Sequence, residues 1–267
     1  MFERHAQTLS SGIITIEDRT RLPAQTAFDG GPLMLGAARV PQALLPALRL
    51  ATRDDSPQVS VEALYAFGAL GAQYTGVART DLLQGSLADL RGVLNLPDPA
   101  LRLAAVRVVG RLYEKRAGDP PVDPQLGNLV IAAVNEDDRA MKLAAMDTLG
   151  AIRETRAING LTQLLQFYGK GDLAEAAMAA LARIGDRSSA PLFLAQLAGK
   201  SPALKTLAIE GLTRTGDASH VAAIQSALKG ERNDRALAAG DFAAAMLSNA
   251  PIERLVDALN KPKSHDA

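Results

Sequence analysis

Three stretches of this chain repeat one another with their small and apolar positions in phase: residues 138–152 (DRAMKLAAMDTLGAI), 173–186 (LAEAAMAALARIGD) and 204–217 (LKTLAIEGLTRTGD). Setting Met146, Met178 and Ile209 in register gives spacings of 32 and 31 residues, within the periods of helical repeat arrays. A unit of that length cannot bury its apolar face alone, so the chain is constrained to stack. An array grows by addition, and 267 residues then fit one elongated domain. Aromatic residues make up 4% of the chain and Trp is absent, so Ala, Leu, Val and Ile must fill the core and the helices must pack closely.

Start signals fall at one phase of the repeat. Ser56-Pro57, Asp98-Pro99 and Ser201-Pro202 each place a capping oxygen before a proline that has no amide proton to leave unsatisfied. First helices are predicted at 59–70, 101–112, 141–152, 173–184, 204–215 and 235–246, each with apolar residues returning at three- and four-residue steps. Gly185-Asp186 and Gly216-Asp217 close two of them, the aspartates recurring because the turn needs a side chain that accepts backbone protons. Second helices follow at 82–94, 125–134, 158–167, 190–197, 221–228 and 252–259. Longer spacings early in the chain place extra loop residues at 73–80 and 117–124. Residues 1–40, punctuated by Pro23, Pro32 and paired glycines, read as an irregular N-terminal cap or linker with an apolar clip at Ile13-Ile14-Thr15-Ile16. The array then runs over 41–260, and 261–267 reads as a disordered polar tail.

The pattern (D/S)-P-x-(V/L)-x-x-x-A-(A/L)-x-x-(L/V)-G-x-(I/L), followed by a Gly-Asp turn and a leucine-rich second helix, resembles HEAT repeats of the short type found in phycobilisome lyases. Residues 138–165 carry it most fully, through Met141, Lys142, Ala144, Ala145, Leu149, Gly150, Ile152, Ala157, Ile158, Leu161 and Leu165, and the last repeat departs from it at Gly240 and Phe242. The resemblance covers 56 to about 261. It implies an all-α fold, a right-handed α-solenoid of about six antiparallel helix pairs, with second helices lining a concave groove that generally binds another protein.

Enzymatic relatives of that family can be tested against residues. The three histidines, His5, His220 and His265, form no His-Glu pair, so a hydroxylase-type iron site lacks ligands. A base-flipping glycosylase needs a basic groove. Here the second helices carry Asn128, Gln163, Gln166, Gln196 and Gln225, while Arg102, Arg107, Arg111, Lys142, Arg153, Arg183 and Lys205 fall on or beside first helices and read as solvated outer faces. Ser226-Ala-Leu-Lys229 has the S-x-x-K spacing without its companion motifs, and reads as a polar turn near a helix end. His220 reads as a surface or capping group.

The 29 basic and 29 acidic residues cancel, which favours neither nucleic acid nor an anionic membrane as partner. With no cysteine there are no disulfides or thiolate sites. Residues 1–8 show no secretory signal, which favours the cytoplasm; a periplasmic or secreted location stays open, since removal of a leader would leave the same start. The expectation is therefore a non-enzymatic, monomeric scaffold without cofactor or metal that holds a protein or peptide in its groove. Gln163, Gln166, Gln225 and Lys229 are the expected contacts. Phe167 and Tyr168 are the candidate aromatic anchors, with core packing weighed above contact for Phe167, and Tyr168, beside Gly169-Lys170, the more exposed of the two. The alternatives are a bilin lyase-like enzyme or chaperone, and a structural module cut from a larger protein.

Overall fold

The computed structural model describes residues 44–248, and among these the chain is all-helical, with twelve α-helices, three short 3-10 turns and no strand. The N-terminal segment 1–40 with its clip at 13–16, His5, His265, the helix expected at 252–259 and the tail 261–267 lie outside the described residues.

The chain divides into two compact units, 1–148 and 149–267. The first holds α1 (Leu44–Ala51), α2 (Pro57–Gly71), α3 (Gly76–Leu94), α4 (Pro99–Leu112) and α5 (Pro124–Ala133), and the division falls within α6 (Arg139–Ala151). The second holds α7 (Ile158–Tyr168), α8 (Asp172–Ile184), α9 (Ala190–Leu197), α10 (Pro202–Thr215), α11 (Val221–Ala227) and α12 (Asp234–Leu247). In the first unit α2 packs on α4 and α3 on α5; in the second, α8 packs on α10, α10 on α12 and α9 on α11. First helices thus neighbour first helices, and second helices neighbour second helices. Each of α1, α3, α7, α9 and α11 also packs on the first helix that follows it.

One contact recurs at three of the places where successive first helices meet. A Cβ added at Gly68 would lie 3.1 Å from the Val108 side chain, one at Gly110 would lie 2.7 Å from Thr148 Oγ1, and one at Gly150 would lie 3.0 Å from Ala180 Cα. The glycine stands four residues after the register position marked by Leu64, Val106 and Met146, and it receives the residue two after that position on the next helix. Thr148 Oγ1 adds a hydrogen bond to Val106 O at 2.9 Å. Small residues at this phase let helix backbones approach closely, as a core poor in aromatics requires.

Local signals explain most helix starts. Asp98 accepts from Ala100 N at 2.8 Å and Leu101 N at 3.1 Å, and Ser201 accepts from Leu204 N at 3.3 Å. Asp123, Asp138 and Asn233 cap α5, α6 and α12 in the same way. Ser56 differs: its side chain makes no cap bond, its own N–H donates to Asp54 Oδ1 at 2.9 Å, and Ser60 Oγ bonds Asp54 O instead. Gly185 and Gly216 take the left-handed conformation at φ 66 and φ 71 that their helix ends require.

The loop expected at 73–80 is a correction, because α3 already begins at Gly76. The extra residues lengthen a helix whose first turn is fastened by Arg79, which is 2% exposed. Its Nε and Nη2 donate to the Asp119 carboxylate, each at 3.0 Å in its shorter contact, and Nη2 also donates to Glu114 O at 3.0 Å. Arg116 N donates to Asp119 Oδ2 at 3.0 Å, and Arg116 Nη1 to Tyr74 O at 3.2 Å. The two sets of extra residues therefore fasten one another. Partial burial pushes the Asp119 carboxyl up, but the bonds from Arg79 and Arg116 outweigh that and hold it below its ordinary value.

The basic residues expected on solvated outer faces are a second correction. Of the seven, only Arg153 is classed as exposed. Arg102 Nη2 meets Glu136 Oε2 at 2.8 Å, Lys205 Nζ meets Glu231 Oε2 at 2.6 Å, and Arg107 Nη1 donates to Tyr65 OH at 3.2 Å. Arg102, Lys205 and Arg107 thus tie their helices to neighbouring segments.

Three second helices enter through a 3-10 turn capped by an acid. Glu154 accepts from Arg156 N at 3.1 Å, Asp186 from Ser188 N at 2.8 Å, and Asp217 from Ser219 N at 2.9 Å. Bonds from Arg156, Ser188 and Ser219 hold the three carboxyl groups below their ordinary values. A folded-state pKa below the unfolded one contributes stability that is present above the unfolded pKa and lost as pH falls through the folded one. The second unit should therefore weaken on acidification from about pH 5 downward. Urea midpoints across that range should fall less steeply for a protein carrying Asp186→Asn and Asp217→Asn, since asparagine caps without titrating. Equal slopes would show that these turns do not govern the acid response.

Candidate functional site

A groove with a cavity of about 470 Å³ lies between α3 and α5, lined by Arg91, Gly92, Asn95, Gln125, Asn128 and Leu129. Helical periodicity puts these residues there. Leu90, Val93 and Leu94 turn into the core at the end of α3, which leaves Arg91, Gly92 and Asn95 on the other side. In α5, Leu126, Val130 and Ala133 are buried, and Gln125 and Asn128 are exposed.

Arg91 is the only ionisable residue in the lining. Its Nη1 donates to Gln125 Oε1 and stands 3.6 Å from Asp123 Oδ1. That same carboxylate oxygen is occupied in capping α5, accepting from Leu126 N at 2.9 Å. Asn95 Nδ2 donates back to Arg91 O at 2.7 Å, which orients the amide at the helix end. Gly92 leaves open space: a Cβ built on it meets nothing within 4 Å. On the core side of α3, Tyr113 OH donates to Leu83 O at 2.5 Å and lies 3.0 Å from Ser86 Oγ. Burial pushes that phenol up to about 12, so it stays neutral as a fixed prop for the helix.

The lining offers amide donors and acceptors, one cation and an apolar edge. That inventory supports recognition by hydrogen bonding. Among the described residues no group of three His, Asp or Glu gathers as a metal site, and no helix is long and apolar enough to cross a membrane.

None of the six expected contacts lines this cavity. Gln163, Gln166 and Phe167 are exposed on α7, Gln225 is exposed on α11, and Lys229 is exposed just beyond the end of α11. Gln163 stands two residues after buried Leu161, as Asn128 stands two after buried Leu126, so the two amides share a register position in their respective units. The aromatic pair is reversed from expectation. Phe167 is 81% exposed while Tyr168 is half-buried, because Leu161, Leu165 and Tyr168 form the inward stripe and residue 167 falls outside it. The rings meet edge to face at 5.1 Å and 80°. His220 closes a 3-10 turn with Nε2 3.9 Å from Asp217 Oδ2, and Ser226 and Lys229 are both exposed at a helix end.

Sequence reasoning marked Asn128 but missed Arg91, Asn95 and Gln125. Assigning the arginines to first helices drew attention from Arg91, which sits on a second helix one residue after buried Leu90.

No family model and no curated protein matches the chain. Solved structures do. One engineered protein aligns with a TM-score of 0.54 at 15% identity, over 77% of this chain and 96% of its own. A second aligns with a TM-score of 0.52 at 15% identity, over 98% of this chain and 72% of its own. At that identity the likeness concerns the fold alone.

Proposed function

We propose that this protein is a non-enzymatic interaction scaffold, an α-solenoid of HEAT-like repeats whose second helices receive an extended segment of a partner protein. The observation that carries this reading is the α3–α5 groove, in which three of the six lining residues, Asn95, Gln125 and Asn128, carry side-chain amides. A primary amide offers both a donor and an acceptor, the same pair that an extended peptide backbone presents along its length. Gln163 and Gln225 extend the amide chemistry to second helices of the other unit, and exposed Phe167 supplies an aromatic anchor. A rigid helical surface loses little entropy on binding, so modest contacts suffice.

The test is affinity capture from a native lysate with three proteins: the unaltered chain, Gly92→Leu, and a triple variant with Gln163→Glu, Gln166→Glu and Gln225→Glu. Gly92→Leu extends a side chain into the groove from a Cβ position that meets nothing within 4 Å and improves helix propensity by about 0.5–1 kcal/mol, so it should fold and lose the partner. Loss with the triple variant as well would assign contacts to α7 and α11 of the second unit. A partner retained by all three would refute the reading.

A further inference from the structure

We infer that the α3–α5 groove selects a peptide bearing a carboxylate, which Arg91 receives through the Nε and Nη2 edge of its guanidinium; this rests on the proposed peptide-binding role of the groove. The geometry of Arg91 is asymmetric. Its Nη1 is held by Gln125 Oε1 and by Asp123 Oδ1 at 3.6 Å, and no described residue accepts from Nε or Nη2. Those two nitrogens form the fork that matches the two oxygens of a carboxylate. Asp123 Oδ1 stands 3.6 Å from Nη1 and also accepts from Leu126 N at 2.9 Å, so the pairing falls on the Nη1 side and leaves the Nε and Nη2 edge open. No carboxylate lines the cavity. The Arg91 side chain as a whole is 32% exposed, so it is reachable from solvent and partly desolvated.

Neighbouring groups define the rest of the ligand. Gly92 lets an incoming chain approach the helix backbone beside Arg91, while Asn95 and Asn128 lie along the same cavity to meet peptide amides. A lone arginine flanked by amides suits a singly charged carboxylate. A phosphate dianion calls for more than one cation at the same place.

The probe is a synthetic array of random hexapeptides, each made with a free and an amidated C-terminus and with phosphoserine among its building blocks. Tight binders should share Asp or Glu at one position, or require the free C-terminus; these outcomes separate a side-chain carboxylate from a terminal one. Replacing that acid by its amide should weaken binding roughly tenfold or more, and Arg91→Met should remove the same factor and abolish the discrimination. Arg91→Lys should restore only part of it, since an ammonium lacks the fork. The inference falls if binders show no acidic preference, if they favour phosphoserine, or if the preference survives Arg91→Met. Gly92→Leu separates this failure from that of the peptide groove itself. Binding lost with Gly92→Leu but unchanged with Arg91→Met keeps the groove and removes the carboxylate, whereas binding indifferent to both, or no binder at all, removes both.

Discussion

Replacing Asp119 by alanine is expected to destabilise the first unit by about 3–5 kcal/mol, since it leaves a buried guanidinium without its counter-charge. Arg79 is 2% exposed and sends two of its nitrogens to that carboxylate. Its Nη1 is already buried without a hydrogen-bond partner, so the site has no spare acceptor to take over. The same substitution also frees Arg116 N and releases the loop that Tyr74 O holds through Arg116. Urea denaturation read by amide exchange in α3 would measure the loss where it occurs. An informative second variant replaces both partners, Arg79→Met with Asp119→Leu, which should recover much of the stability because an apolar pair leaves no orphan charge. A loss below about 1 kcal/mol in Asp119→Ala would mean that water reaches Arg79 and does the work assigned to the carboxylate.

Phe193→Ala should cost the second unit a similar amount, about 3–5 kcal/mol, through lost burial and the hollow left behind. Phe193 is fully buried, and its ring lies across Gly211: a Cβ on residue 211 would come within 2.6 Å of ring atom Cζ. The large residue on α9 and the absent one on α10 are therefore a matched pair. Gly211→Leu alone should destabilise by about 1–3 kcal/mol through overpacking. Combined with Phe193→Ala it should cost less than the sum, since leucine occupies part of the vacated volume. Strict additivity in urea midpoints would show that the two positions relax independently.

Much of the fold was legible because it depends on short-range signals. The start at Asp98-Pro99, the stop at Gly185 and the three-and-four spacing of α6 each act within one or two turns, and a single sequence displays them fully. The misreadings involve partners distant in sequence. Nothing around residues 73–80 announces that Arg79 will meet Asp119, so a glycine-containing stretch reads as loop when tertiary bonding makes it helix. The clamps from Arg102 and Lys205 were hidden for the same reason, as each partner lies on a later segment. For the site, the amide character of second helices was visible at Asn128, and which amides surround a cavity was not, because that depends on how α3 and α5 pack. The reversal of Phe167 and Tyr168 came from extending the core by residue type where the helical angle should have decided.

The recurring glycine contact has a consequence for how such a chain tolerates change. Gly68 with Val108, Gly110 with Thr148 and Gly150 with Ala180 use the same pair of phases although the connecting segments differ in length. Neighbours recognise one another by rotation about the helix axis and are indifferent to the residues spooled between them. Connectors can therefore lengthen or shorten through evolution at little cost, while a one-residue slip inside a first helix would swing the glycine about 100° away and put a side chain where a backbone must pass.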